Sequence, residues 1–189
     1  MQQATAQSQQ FAAGGPGAAS FEPQQYLTFV LGGETFAIGI LRIKEIIEFA
    51  GLTTVPMMPT CIRGVINLRG SVVPVLDLSA RFGRKSTEAT RRTCIVIVEV
   101  EAEGGHQDIG VIVDAVNEVL EIPGTEIEPA PSFGTKLRPD LIRGMGKVGG
   151  RFVIILDTDR VLSTDEIVAV GDKASGEEES LQPAFQAAA

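Results

Sequence analysis

From about residue 25 to residue 168, apolar and β-branched residues arrive in short runs broken by glycine, proline or polar punctuation. Runs at 26–31, 34–40 and 72–78, and again at 93–100, 108–113 and 151–156, are bounded by Gly-Gly, Arg-Gly or proline-containing turns and predict β-strands. The stretch 40–47 is ambiguous, because apolar positions 40, 43, 46 and 47 also fit one face of a helix.

The pattern occurs twice. Ile62-Arg63-Gly64-Val65-Ile66-Asn67-Leu68-Arg69-Gly70 followed by Val72-Val73-Pro74-Val75-Leu76-Asp77 returns as Ile142-Arg143-Gly144-Met145-Gly146-Lys147-Val148-Gly149-Gly150 followed by Phe152-Val153-Ile154-Ile155-Leu156-Asp157. Upstream, Phe36-Ala37-Ile38-Gly39-Ile40 and Glu45-Ile46-Ile47-Glu48 are echoed by Ile109-Gly110-Val111-Ile112-Val113 and Glu118-Val119-Leu120-Glu121. The echo at 113–120 resolves 40–47 into strand, tight turn, strand. Gly39 and Gly110, inside strand-like runs, point to a bulge or a close backbone approach. Short helical turns are expected at 79–82 and 158–163.

A tandem duplication of short strands predicts an all-β fold. Two small barrels packed face to face, open to strand exchange, hide their edges most economically. The copies fall at about 25–85 and 92–165 within a unit spanning 25–170. Residues 1–24, rich in Gln, Ala and Gly, read as a flexible arm, and 171–189 as a solvated acidic and Ala-rich tail.

The chain is 44% hydrophobic and 21% charged, enough apolar content for one sizeable core or two small ones. Aromatic residues make up only 5%, with no Trp, which favours β-branched strands over large stacked cores. A formal net charge of −8 disfavours nucleic-acid and anionic-membrane partners, and no basic patch overrides it. Cys61 and Cys94 stand far apart, outside any Cys-x-x-Cys spacing, so neither a disulfide framework nor a zinc site is expected. No apolar run reaches the roughly 20 residues that span a bilayer, so the expectation is a soluble cytoplasmic protein without membrane insertion.

Candidate chemistry fails on context. Gly144-x-Gly146-x-x-Gly149 matches a dinucleotide fingerprint, yet a strand-like run follows where a helix N-terminus must cradle the pyrophosphate. Asp157-Thr158-Asp159 begins like a calcium loop but puts Leu162 where glycine belongs and Val168 in place of the closing Glu. His106, the only histidine, sits at an acid-flanked hairpin tip without a placed partner. No catalytic constellation and no cofactor are expected.

The segment 64–70 with 72–78, together with Tyr26-Leu27-Thr28-Phe29, Phe36-Ala37-Ile38 and Pro129-Ala130-Pro131, strongly resembles the signature of the CheW family of chemotaxis coupling proteins. The resemblance covers about 25–168. It implies a pair of five-stranded SH3-like barrels with a hydrophobic groove between them and a non-enzymatic adaptor role. The implied partners are the cytoplasmic helical hairpin of a chemoreceptor (methyl-accepting chemotaxis protein) and the regulatory domain of a CheA-type histidine kinase. The chain would be cytoplasmic and tied to membrane-bound arrays through those partners. The same module occurs in the kinase and in a fusion with a response-regulator domain, and a free-standing coupler fits the residues present. A coupler of a non-motility chemosensory pathway is the near alternative. A small-ligand-binding β-barrel sensor is the alternative of another class.

Comparison of the copies separates scaffold from function. Arg63/Arg143, Gly64/Gly144, Gly70/Gly150 and Asp77/Asp157 keep the same residue at the same offset, the mark of turns and an Arg–Asp tie that serve the fold. Asn67/Lys147, Leu68/Val148 and Arg69/Gly149 differ and are free to carry function. Arg69 offers a rigid charged fork either to a partner or to an internal salt bridge. By resemblance, Ile43, Glu45, Gly64, Asn67, Leu68, Arg69 and Ile95 border the receptor groove, although Ile43 and Ile95 also suit a core. Phe133, on a loop stiffened by prolines, with Val119 and Val148, is expected to contact the kinase.

Overall fold

The computed structural model describes residues 23–102, 105–130 and 138–163. The arm through residue 22, Phe133 and the chain beyond 163 lie outside the described residues. The first copy supplies strands β1 (Gln24–Leu31), β2 (Glu34–Gly39), β3 (Ile43–Glu48), β4 (Ile62–Leu68) and β5 (Ser71–Asp77). The second supplies β6 (Cys94–Ala102), β7 (Gly105–Val113), β8 (Ala115–Ile122), β9 (Ile127–Glu128), β10 (Ile142–Val148) and β11 (Arg151–Leu156). One-turn helices α1 (Leu78–Arg81) and α2 (Thr158–Val161) follow β5 and β11. Stretch 40–47 is a 3-10 turn, Ile40–Arg42, leading into β3.

The two sheets do not follow the two copies. One runs β3-β6-β7-β5-β4 and the other β8-β1-β2-β11-β10-β9. The β1–β2 hairpin of the first copy has crossed over, pairing β1 antiparallel with β8 and β2 parallel with β11. Its counterpart β6–β7 pairs with β3 and β5 in the same way. The exchange therefore moves a whole hairpin. One lobe, from Ile43 to Val113, is a continuous insert within the other, which is split between residues 24–39 and 115–156. The chain enters the inserted lobe through Ile40–Arg42 and leaves it through Asp114 alone.

This exchange explains the hydrophobic runs. Along β6, Ile95 and Ile97 point into the inserted lobe's own core, while Val96, Val98 and Val100 join the largest core, which lies between the lobes. Along β2, Ala37 faces the split lobe's core and Phe36 and Ile38 the shared one. Strands covered on both faces read as near-continuous apolar sequence. Phe36 stacks between Phe29 and Phe82, at centroid distances of 6.1 and 5.8 Å, fastening the exchanged hairpin to the end of α1.

Each sheet curls back on itself at the same place. In the inserted lobe Thr53 returns to β4, its N–H donating to the Val65 carbonyl at 3.0 Å and its carbonyl accepting from the Val65 N–H at 2.9 Å. In the split lobe the returning segment is β9, paired with Met145 and Gly146. A Cβ at Gly64 would lie 2.4 Å from the Thr53 carbonyl oxygen, and one at Gly144 would lie 2.9 Å from that of Glu128. The repeated Arg-Gly thus has a steric cause: the closing strand crosses where a side chain would stand. Gly110 has a related one, since a Cβ there would meet Ile95 Cγ2 at 2.9 Å.

Asp77 is fully buried and fully employed. Its carboxylate caps α1 by accepting from the Ser79 N–H at 3.0 Å, accepts from the Thr87 N–H at 2.8 Å, and pairs with Arg63 at 3.0 Å. The expected Arg–Asp tie is present in the first copy. In the second, Asp157 caps α2 through the Arg160 N–H at 3.2 Å, and its ion pair is with the Arg160 side chain at 3.7 Å.

Candidate functional site

The β4–β5 turn organises the site. Leu68 pairs with Ser71 across a two-residue turn in which Arg69 (φ 51°) and Gly70 (φ 91°) are both left-handed, as a type I′ hairpin requires. The second copy meets the same demand with Gly149 and Gly150. Arginine in that conformation costs about 1–2 kcal/mol relative to glycine. Asn67 steadies the turn, its side-chain oxygen accepting from the Gly70 N–H at 2.8 Å.

Arg69 lies beside β3. Its guanidinium donates to Glu45 at 2.8 Å yet keeps 80% of the side chain exposed, whereas Glu45 is only 24% exposed. The internal salt bridge exists, therefore, and leaves most of the fork facing solvent. Next to it Lys44 bridges Glu99 and Asp108, both at 2.7 Å. Hydrogen bonding to Asp108, then to Glu99, raises the Lys44 pKa above its ordinary value, and the bond from Lys44 lowers that of Glu99. Lys44, Glu45, Leu68, Arg69, Ser71 and Asp108 line one surface cleft of about 310 Å³.

A second cleft, of about 480 Å³, opens at the seam of the inserted lobe, where Ile66 and Asn67 of β4 face Ile47 and Glu48 of β3. Its wall is Leu52 and Thr53, and Ile95, 1% exposed, forms part of its floor. The two clefts bring together Glu45, Leu68 and Arg69, and Asn67 with Ile95. Ile43 packs against the shared core and Gly64 lies under the Thr53 closure, so both act through the scaffold. A core shared by both lobes lies between them, and the two clefts lined by the candidate residues open on the inserted lobe. On the split lobe, Val119 is 47% exposed on β8, and Val148 packs against that lobe's core.

Sequence reasoning missed Lys44, Ser71 and Asp108. Lys44 falls on the same strand as Glu45, but the sequence of β3, Ile-Lys-Glu-Ile-Ile-Glu, does not alternate and carried no signal for it. The burial of Cys61, which raises its thiol pKa, removes it from consideration as a nucleophile. The glycines of 144–149 lie on β10 and its turn, with β11 and no helix after them.

The profile of the CheW-like domain matches residues 25–166. The chain belongs to the CheW-like domain family. It is 33% identical to a chemotaxis protein CheW of Klebsiella aerogenes over 80% of this chain and 89% of that one. It is 35% identical to a chemotaxis protein CheW of Helicobacter pylori over 76% of this chain and 84% of the relative. Its fold is similar to the crystal structure of the scaffolding protein TtCheW from Thermoanaerobacter tengcongensis, with a TM-score of 0.68, 32% identity, and coverage of 76% of this chain and 90% of that one. The CheW-like match thus embraces both lobes, and an adaptor role in chemotaxis goes with membership. Among the described residues no helix is long and apolar enough to cross a membrane.

Proposed function

We propose that the chain is a non-catalytic adaptor that couples the cytoplasmic hairpin tips of chemoreceptors to the regulatory domain of a CheA-type histidine kinase. The observation that carries this reading is Arg69, a mostly exposed cation held left-handed at a turn where the second copy uses glycine. Left-handed strain at Arg69 offsets what its Glu45 ion pair contributes to folding, and strained residues persist where function holds them. A charged fork next to a cleft in which Ile47, Leu52, Ile66 and Ile95 stand among polar residues suits a helical partner that offers carboxylates or carbonyls along with an apolar anchor. Kinase output then changes only as far as the adaptor binds the active kinase state better than the inactive one.

Sedimentation of the chain with a receptor cytoplasmic fragment and the kinase regulatory domain tests the reading. A ternary complex is expected. Binding to neither protein, or saturable calorimetric binding of a metabolite in their place, would favour the ligand-sensor reading.

A further inference from the structure

We propose that residues 177–185 of this chain, Glu-Glu-Glu-Ser-Leu-Gln-Pro-Ala-Phe, dock back on the β10–β11 hairpin of the split lobe as an autoinhibitory cover. On that hairpin Lys147 stands opposite Phe152, and Val148 opposite Arg151 beside the Gly149-Gly150 turn. Phe152 is 53% exposed, and Lys147 and Arg151 are exposed beside it. From Leu141 to Leu156 there are three cations, Arg143, Lys147 and Arg151, and no acid, in a chain with 24 acidic and 16 basic residues. Among the described residues no carboxylate pairs with Lys147 or Arg151.

The sequence beyond the last described residue, Ser163, has the complementary chemistry. It carries six acids, Asp165, Glu166, Asp172, Glu177, Glu178 and Glu179, against the single base Lys173. Three of those acids are consecutive, and Leu181 and Phe185 follow them. Carboxylates adjoining an apolar side chain match cations adjoining an exposed ring.

Other cations of the fold are less suited. Arg42, Lys44, Arg63, Arg69, Arg84 and Arg160 are each held by a carboxylate of the described residues. Arg91 and Arg92 lie near Glu88 in a linker that has no exposed large apolar residue.

The chain is long enough to make the return. The Gly149-Gly150 turn lies one strand length, about 20 Å along β11, from the start of α2. Residues 164–176 span up to about 43 Å when extended, so the three glutamates reach the hairpin from the end of α2. A tethered segment acts at an effective concentration on the order of millimolar, which lets a weak contact compete with a partner in solution. The docking itself stands apart from the adaptor reading, and only its consequence rests on that reading: with Val148 facing the kinase, a docked tail lowers kinase affinity.

The test places a nitroxide on Ser180→Cys in the full chain carrying Cys94→Ser, with Cys61 buried and unlabelled. The amide NMR peaks of Gly149 and Gly150 are expected to lose at least about half of their intensity at low salt and to regain it in about 0.5 M salt, where charges are screened within a few Å. Glu177→Lys with Glu178→Lys should abolish the loss, and adding Lys147→Glu with Arg151→Glu to that variant should restore it by exchanging the charges. Glu88→Lys with Glu101→Lys, an equal charge change on exposed acids of the folded body, should leave the loss in place. Unaffected Gly149 and Gly150 peaks in the labelled chain, or an equal loss with the tail charges reversed, would overturn the docking and leave the adaptor reading standing. In titrations of the unlabelled chain with the kinase regulatory domain, reversal of Glu177 and Glu178 should raise affinity at least threefold and the control should not. Unchanged kinase affinity on that reversal would overturn the autoinhibition. A natural chain that binds neither kinase nor receptor would sink the adaptor reading, while the label still decides the docking.

Discussion

Replacing Arg69 with glycine, the residue that the second copy places in the same turn, separates what the side chain does for folding from what it does for a partner. Relief of the left-handed strain contributes about 1–2 kcal/mol in favour of the variant. Against it stand the Glu45 ion pair, worth about 0.2–1 kcal/mol at such exposure, and the extra freedom of a glycine in the unfolded chain, about 0.4–1 kcal/mol. The sum leaves stability within about 1 kcal/mol of the natural chain, or about 2–4 °C in Tm for a protein of this size. Arg69→Ala keeps the strain and loses the pair, so it should melt below both. Coupling should respond differently: both variants lose the charged fork, and loss of a charged hydrogen bond of about 1.5–3 kcal/mol corresponds to roughly 10- to 100-fold in affinity. Thermal melts, receptor-fragment binding and receptor-stimulated kinase autophosphorylation read the two effects apart. A glycine variant that melts no higher than the alanine variant would refute the strain argument, and normal receptor binding by both would refute the contact.

Other consequences are equally concrete. Gly64→Ala puts a methyl group 2.4 Å from the Thr53 carbonyl and should cost about 2–4 kcal/mol, read as a fall in Tm, whereas Gly39→Ala, with nothing within 4 Å of the added Cβ, should stay within about 0.5 kcal/mol. Separately made residues 25–88 and 89–166 each lack strands that their sheets require, so each should be unfolded by circular dichroism and gain β-structure on mixing; a stably folded 25–88 would contradict the exchanged hairpin. Glu99 has a lowered pKa in the folded chain, so its contribution to stability is present above the unfolded value and lost as pH falls through the folded one; an NMR titration should find its carboxyl below the ordinary glutamate range and returned to that range in Lys44→Met.

Much of the fold was legible because burial on two faces leaves a strong imprint. β1, β2, β6 and β7, the strands between two cores, read as apolar runs, and helical turns were expected at 79–82 and 158–163, where α1 and α2 lie, whereas the capping by Asp77 and Asp157 was seen only in the structure. The extent of the exchange was not legible, and the duplication is the reason. The β1–β2 and β6–β7 hairpins carry equivalent patterns, so pairing within a copy and pairing across copies satisfy the same hydrophobic and hydrogen-bonding demands. What decides between them is three-dimensional: the short connections at Ile40–Arg42 and Asp114, and clamps such as the Gly32 N–H donating to Asp114 at 2.7 Å. The sixth strand of the split lobe reflects a small difference, since β9 is a two-residue strand where the inserted lobe has the single bridge at Thr53.

At the site, the turn logic could be read from Gly149-Gly150 set against Arg69-Gly70, because a paired glycine in one copy reveals the backbone that the other must adopt. Gly64 could not be assigned so easily. A repeated glycine signals constraint without naming the atom that imposes it, here the Thr53 carbonyl. Ile95 shows the complementary difficulty: one residue is both core and cleft floor, and apolar periodicity cannot divide those roles.

The most direct test of the adaptor account is reconstitution of kinase autophosphorylation on receptor-containing membranes with and without this chain. Stimulation should appear only when receptor, kinase and the chain are all present, and should fall away with Arg69→Gly despite its intact fold. Equal receptor control of the kinase in the absence of the chain, or no effect on adding it, would contradict the account.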